Sequence, residues 1–263
     1  MRCAFELRKG RRVSSRGLLS ALALVFLQSS VSATDLADPK TSENTVSFAT
    51  MDVPPYGFKN AKNQQEGYLY DLGERVLNEA GFNTHQAVLP LKRLIEEMKI
   101  GRRDCTFMAR TPLVQRIFRL IEPIGKELEA VVVARAGIPI NRYDDLIGLR
   151  IAVPLGISFD PRFDNDKSLT KVPTKDYQQS VKMLIGGRVD AVAGALDSLT
   201  FNLRQMGLDP KEELDEPLVF NRVSLWLVCR ADGPKKAKEI RLQDAVRELR
   251  ENGSITKIIE NYL

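Results

Sequence analysis

Apolar and polar positions alternate along this chain in two rhythms that replace one another at short intervals. Thr45 to Thr50 alternates residue by residue and predicts a strand, as do Thr84 to Leu89 and Arg150 to Val153. Leu69, Leu72, Val76, Leu77 and Ala80 keep helical spacing and stop at Gly81. Leu91, Leu94, Ile95 and Met98 mark the next helix, and Tyr177, Val181, Leu184 and Ile185 another. Between these lie a rigid turn at Val53-Pro54-Pro55-Tyr56-Gly57-Phe58 and a short polar-started turn at Thr111 to Ile117. Ala130 to Ala134, Leu169 to Val172, Pro217 to Phe220 and Ser224 to Cys229 are β-like runs. Tyr143 to Leu146 is a short helix and Asp197 to Met206 a longer one closed by Gly207. The chain finishes on two helical stripes, Leu242-Ala245-Val246-Leu249 and Ile255-Ile258-Ile259-Tyr262, parted by Gly253-Ser254 as stop and N-cap. Strand and helix in alternation predict an α/β protein with mostly parallel sheets wrapped by helices.

One phrase occurs twice. The stretch from Glu96 to Phe107 is echoed from Val181 to Val192: an amphipathic helix, a glycine stop, a Gly-Arg-x-Asp-like turn and an apolar strand. A glycine just past a helix can take the left-handed conformation that closes the last turn. Two copies at matching places imply two α/β lobes of related build, with a ligand cleft between them.

The first 33 residues belong to a different kind of segment. Arg2, Arg8, Lys9, Arg11, Arg12 and Arg16 form a basic head, Gly17 to Leu27 is apolar, and Val31-Ser32-Ala33 supplies the small residues of a cleavage site. The run is short of the ~20 apolar residues a membrane span needs. The expectation is an exported protein cut after Ala33, with residues 34–44 a polar leader. The head also carries the charge asymmetry. It holds six of the 39 basic and one of the 34 acidic residues, so the formal +5 becomes zero once it is removed. Composition thus gives no support for a nucleic-acid or anionic-membrane partner. Cys105 and Cys229 remain, in a compartment that permits a disulfide; two buried free thiols are the alternative. They fit no metal-ligand spacing. His85 is the only histidine and has no acidic or nucleophilic neighbour in sequence. No Gly-x-Ser-x-Gly and no phosphate loop occurs, so no catalytic residue, metal or cofactor is assigned.

In order along the chain, Pro54-Pro55-Tyr56-Gly57-Phe58, Gly67-Tyr68-Leu69-Tyr70-Asp71-Leu72, Gly101-Arg102-Arg103-Asp104, Arg110-Thr111-Pro112 and Pro123-Ile124 are followed by two longer phrases. These are Asp145 to Val153 and Gly187 to Val192, and Leu249 to Leu263 fits a closing helix. This succession resembles the family 3 bacterial extracellular solute-binding proteins. The resemblance implies a two-lobed type II periplasmic binding fold, two mostly parallel sheets joined by a two-strand hinge. Lobe one would be 45–128 plus 221–263, and lobe two 129–220. It implies a monomer that holds a small solute by closing its lobes and hands it to the membrane permease of an ABC importer. It also places the returning strand of lobe one beside the strand after Asp104, making Cys105 and Cys229 neighbours. A bond between them is weighed against, because facing cysteines on adjacent strands meet at awkward geometry.

Two positions depart from the amino-acid binders this family resembles. Their Thr-x-x-Arg, whose arginine forks a carboxylate, reads Thr111-Pro112-Leu113-Val114 here, with Arg116 two residues later and Arg110 just before. Their ammonium-binding aspartate falls at Ala195, with Asp197 two residues on. The candidate ligand-binding residues are accordingly Tyr56, Arg93, Arg110, Thr111, Arg116, Ser158 and Asp197. The alternative for each is structural: Tyr56 packing on its prolines, Arg93 pairing with Glu96 or Glu97, the other arginines as solvated surface. Basic candidates outnumber the one acid, which favours a small polar or anionic, amino-acid-like solute. A dehydratase-type enzyme on the same fold would need a placed general acid. A solute-sensing partner of a receptor would share the fold and differ in what reads it.

Overall fold

The computed structural model describes residues 44–263 apart from Thr84. The export signal, Cys3, the cut after Ala33 and the leader up to residue 43 lie outside the described residues, as does Thr84 at the head of the expected second strand.

The elements run β1 (Phe48–Met51), a small hairpin of β2 (Phe58–Lys59) and β3 (Gln65–Glu66), α1 (Tyr68–Glu79), β4 (Gln86–Leu89), α2 (Leu91–Lys99), β5 (Cys105–Ala109) and α3 (Pro112–Ile117). A long strand β6 (Phe118–Ala134) leads to β7 (Arg150–Pro154), α4 (Pro161–Asn165), β8 (Thr170–Thr174), α5 (Tyr177–Ile185), β9 (Ala191–Ala195), α6 (Leu196–Gln205) and α7 (Pro210–Glu213). A second long strand, β10 (Leu218–Arg230), returns to α8 (Lys236–Glu251) and α9 (Ser254–Glu260). Among the described residues the strand order is β4-β1-β5-β10-β6-β9-β7-β8.

Two parallel sheets are legible in that order, β4-β1-β5 and β8-β7-β9, and the antiparallel pair β6–β10 joins them. This is the mixed α/β, two-lobed architecture the alternating pattern predicts. The joining strands are longer than the sequence suggests. Ala130 to Ala134 is only the far end of a 17-residue strand, and the runs before and after Asn221 are one strand of 13. Pro123 and Gly125 disguise the first and the polar Asn221-Arg222 the second. Proline is tolerated within a sheet where the ladder bulges, and the β6–β10 register shifts between Ser224 and Trp226, whose partner is Pro123. The polar-started turn at Thr111 is also more regular than expected: Pro112–Ile117 is a short helix with the Thr111 hydroxyl accepting from Val114 N at 3.2 Å.

Period-two patterning sorts the core. Val131 and Val133 on β6 join Val192, Leu184 and Leu199 in one apolar cluster, while Val132 and Ala134 join Ile151, Phe163 and Ala193 in another. The sheet they share is therefore covered on both faces. A third cluster gathers Phe48, Tyr68, Leu72 and Phe107 with Leu227, Leu242 and Val246 from the returning strand and α8. Each fully buried side chain of this size contributes about 1.5–3 kcal/mol of transfer free energy.

The repeated phrase acquires a structural reason. Gly101 and Gly187 take the left-handed conformation (φ 79° and 65°) one turn before each aspartate. Asp104 then accepts from Ser47 N at 2.9 Å and its own N–H donates to Ser47 O at 2.7 Å. Asp190 does the same with Arg150 N at 2.8 Å and Arg150 O at 2.8 Å. Each copy ties the start of its strand to the start of the neighbouring parallel strand. An arginine completes each hook, Arg230 on Asp104 and Arg150 on Asp190.

Cys105 and Cys229 face each other across β5 and β10 and form a disulfide, correcting the expectation that they stay unbonded. Their Cα atoms are 4.0 Å apart. The direct opposition of the two residues in an antiparallel pair brings them that close.

Candidate functional site

A cavity of about 740 Å³ opens where the two sheets present the carboxyl ends of their parallel strands. Residues 52–54 follow β1, and residues 90–92 and Ile95 follow β4. Opposite them, 154–157 follow β7 and 175–178 follow β8, with Asn202 added from α6. A ligand cavity beyond the carboxyl ends of strands is the usual place in open α/β sheets, because the loops there can vary without disturbing the ladder. Two helices begin at its walls. Helix α5 is closed by Asp176, whose carboxylate accepts from Gln179 N at 2.8 Å. Helix α2 starts at Pro90 with no side-chain cap and no acidic residue in its first turn. Its N-terminal N–H groups therefore keep their partial positive charge.

The polar lining is mixed. Lys92 is exposed at the start of α2 without an ion-pair partner among the described residues, and Lys175 lies 3.9 Å from its neighbour Asp176 on the opposite wall. Asp52 is exposed. The Tyr177 hydroxyl accepts from Ala195 N at 3.0 Å, and burial pushes its pKa up to about 12.

None of the seven residues singled out in the sequence lines this cavity. Tyr56 is buried, its ring edge-on to Tyr68 at 5.3 Å. Burial, and then the charge of Asp197, push its hydroxyl far above the usual phenol range. Arg93 donates to Glu97 at 2.7 Å, the ion-pair alternative raised for it. Arg93 first and Arg103 second hold the Glu97 carboxyl below its ordinary value. Arg110 leans over Trp226 at 5.6 Å and donates to Gln115 at 3.3 Å. Thr111 caps α3, and Arg116 is exposed on it. Ser158 donates to Asp164 at 2.5 Å and borders a second cavity, about 370 Å³, on the far side of the 154–157 loop.

Asp197 is the most entangled. It pairs with Lys126 at 3.1 Å and accepts from the Tyr68 hydroxyl at 3.3 Å. Loss of hydration raises its pKa, and Lys126 offsets only part of that. Tyr56 and Ser198 are buried beside it. The fold thus gathers Tyr56 and Asp197 into one polar knot with Tyr68, Ser198 and Lys126, and sets Arg110 and Thr111 together at the end of β5. Lys92, Lys175, Gln178 and Asn202 went unremarked in the sequence. For the first two, position after a strand's carboxyl end is the signal that would have found them.

The geometry defines a two-lobed α/β protein with a ligand cleft at its strand ends. The chain belongs to the bacterial extracellular solute-binding proteins, family 3, whose pattern it matches over residues 46–263. Membership implies a periplasmic or extracellular location. No curated protein matches it. Among solved structures it is similar to a mutant of ArgBP from T. maritima, with a TM-score of 0.69, 18% identity, and coverage of 86% of this chain and 97% of that one. A histidine kinase sensor domain with similarity to periplasmic binding proteins gives 0.69 and 18%, covering 84% and 96%. The GluR0 ligand-binding core from Nostoc punctiforme, solved with L-glutamate, gives 0.68 and 19%, covering 83% and 99%. At such identities the likeness is one of fold.

Proposed function

We propose that this protein is a non-catalytic periplasmic solute-binding protein. It captures a small polar or anionic, amino-acid-like solute by lobe closure and delivers it to the permease of an ABC importer. The observation that carries the reading is the 740 Å³ cavity framed by strand ends and helix starts from both sheets. The solute-binding family supports it. In this reading the lobes are 45–128 plus 221–263 and 129–220. They turn about the points where β6 and β10 pass from one to the other. Arg110, just past β5, and Arg116, on α3, are exposed without carboxylate partners among the described residues and add positive potential to that end of the sheet. The α2 start adds hydrogen-bond donors, Ser158 lies on the neighbouring loop with its hydroxyl on Asp164, and the Asp197 knot with Tyr56 sits at the junction.

Calorimetry with a solute panel, read alongside small-angle scattering and Trp226 fluorescence, tests this. Trp226 is the single tryptophan and lies on a joining strand, so closure changes its surroundings. Binding with compaction and a fluorescence change is expected. Turnover of a cyclohexadienyl substrate, or binding without compaction or fluorescence change, would overturn the reading.

A further inference from the structure

The walls of the cavity are more apolar than a small, wholly polar solute requires. Val53, Leu91 and Ile95 come from one side, and Leu155 and Ile157 from the other. None of the five is buried, and Leu155 is 69% exposed. A large apolar side chain held that open beside a cavity loses free energy to water until something covers it. The charges are fewer and lean one way. Asp176 caps α5 and lies 3.9 Å from Lys175, so those two charges offset one another. That leaves Asp52 against Lys92 and the uncapped first turn of α2.

We infer that the cleft takes an organic monoanion with an apolar body, a chain several methylenes long or a single aromatic ring. The carboxylate end sits toward Lys92, and the body lies between the Val53–Ile95 and Leu155–Ile157 walls. This rests on the solute-binding reading and narrows it: charge attracts the ligand, but the body determines which anion is held. A small dicarboxylate or phosphate would leave Leu155, and the open edges of Val53, Leu91, Ile95 and Ile157, facing water. A zwitterion would bring an ammonium with Asp52 alone to receive it.

Calorimetry on the full mature chain with butanoate, hexanoate and octanoate tests this, against succinate, inorganic phosphate, L-leucine and 1-hexanol. Burial of each methylene should raise affinity about fourfold, so each two-carbon step gains roughly tenfold or more until the cleft is full. Leu155→Ser should flatten the series, and Lys92→Ala should weaken every carboxylate several-fold while leaving the slope. Both side chains are exposed, so neither change threatens the fold. A flat series with succinate, phosphate or leucine bound tightest would overturn the inference and leave solute binding standing. Hexanol bound as well as hexanoate would overturn the anion. Silence from every solute in the panel would overturn both this inference and the reading beneath it.

Discussion

Strand β9 is five residues long, with Asp190 just before it and Asp197 two residues past its end. The two carboxylates share a chemistry and little else. At the first end, Arg150 meets Asp190 with two guanidinium contacts and its own backbone N–H, at a place still open to water. Hydration is kept and a cation added, so the carboxyl falls to a pKa of about 2. At the other end the Asp197 side chain is only 15% exposed. There the loss of water outweighs what Lys126 and the Tyr68 hydroxyl restore, and the pKa rises. An ion pair at the surface makes an acid stronger; the same kind of pair placed inside leaves it weaker, because desolvation acts first. One end of the strand is fixed by its charge, whereas the other carries a charge it is costly to keep.

The largest expected effect comes from lobe one, where the equivalent hook at Asp104 is followed by the Cys105–Cys229 bond closing a separation of 124 residues. Replacing both cysteines by alanine should lower stability by about 2–4 kcal/mol, chiefly through the freer unfolded chain. Urea unfolding measures it. A loss no greater than that from Asp190→Ala would mean the hook, not the bond, secures this strand end.

Next comes the buried end of β9. Lys126→Ala strands a carboxylate that is mostly out of water and should cost about 1–3 kcal/mol. Lys126→Ala combined with Asp197→Ala should recover much of that, since no unpaired charge remains. At the more open end, Asp190→Ala removes the pair and leaves Arg150 N without its acceptor, and should cost about 1–2 kcal/mol. The comparison breaks if Asp190→Ala proves the more damaging of the two.

How much of this was legible in the sequence follows the same division. The repeat pointed to two related lobes, and Asp104 and Asp190 were readable as strand-start residues because their partners are backbone groups fixed by local geometry. The length of β6 and β10 was not readable, since Pro123, Gly125 and Asn221-Arg222 look like loop punctuation until a partner strand absorbs them in bulges. Asp197 was read as a ligand residue because nothing nearby in sequence reveals Lys126, 71 positions earlier. The disulfide was weighed against for another reason: facing cysteines on adjacent strands were expected at awkward geometry, and here the β5–β10 register sets Cys105 directly opposite Cys229. The cavity walls, finally, combine short loops after strands with the first turns of α2 and α5, and periodicity shows the helices without showing that their starts meet.

The smallest effect is the most discriminating, because the two aspartates should answer acid with opposite signs. The folded pKa of Asp190 lies below its unfolded value, so the stability it gives is complete above the ordinary carboxylate range, near 3.9. It is lost as pH falls toward about 2. Asp197 has the reverse relation. Between its ordinary value and its raised folded value the native state binds more protons than the unfolded chain, so its contribution improves as pH falls through that window. Unfolding by urea at a series of pH values, on the parent chain and on Asp190→Asn and Asp197→Asn, separates the two. Asp190→Asn should make the loss of stability in the most acidic range shallower. Asp197→Asn should make the loss just above the ordinary carboxylate range steeper, because it removes a group that opposes that loss. If Asp197→Asn made that loss shallower instead, the Lys126 pair would dominate its surroundings, and the two ends of β9 would differ in exposure alone.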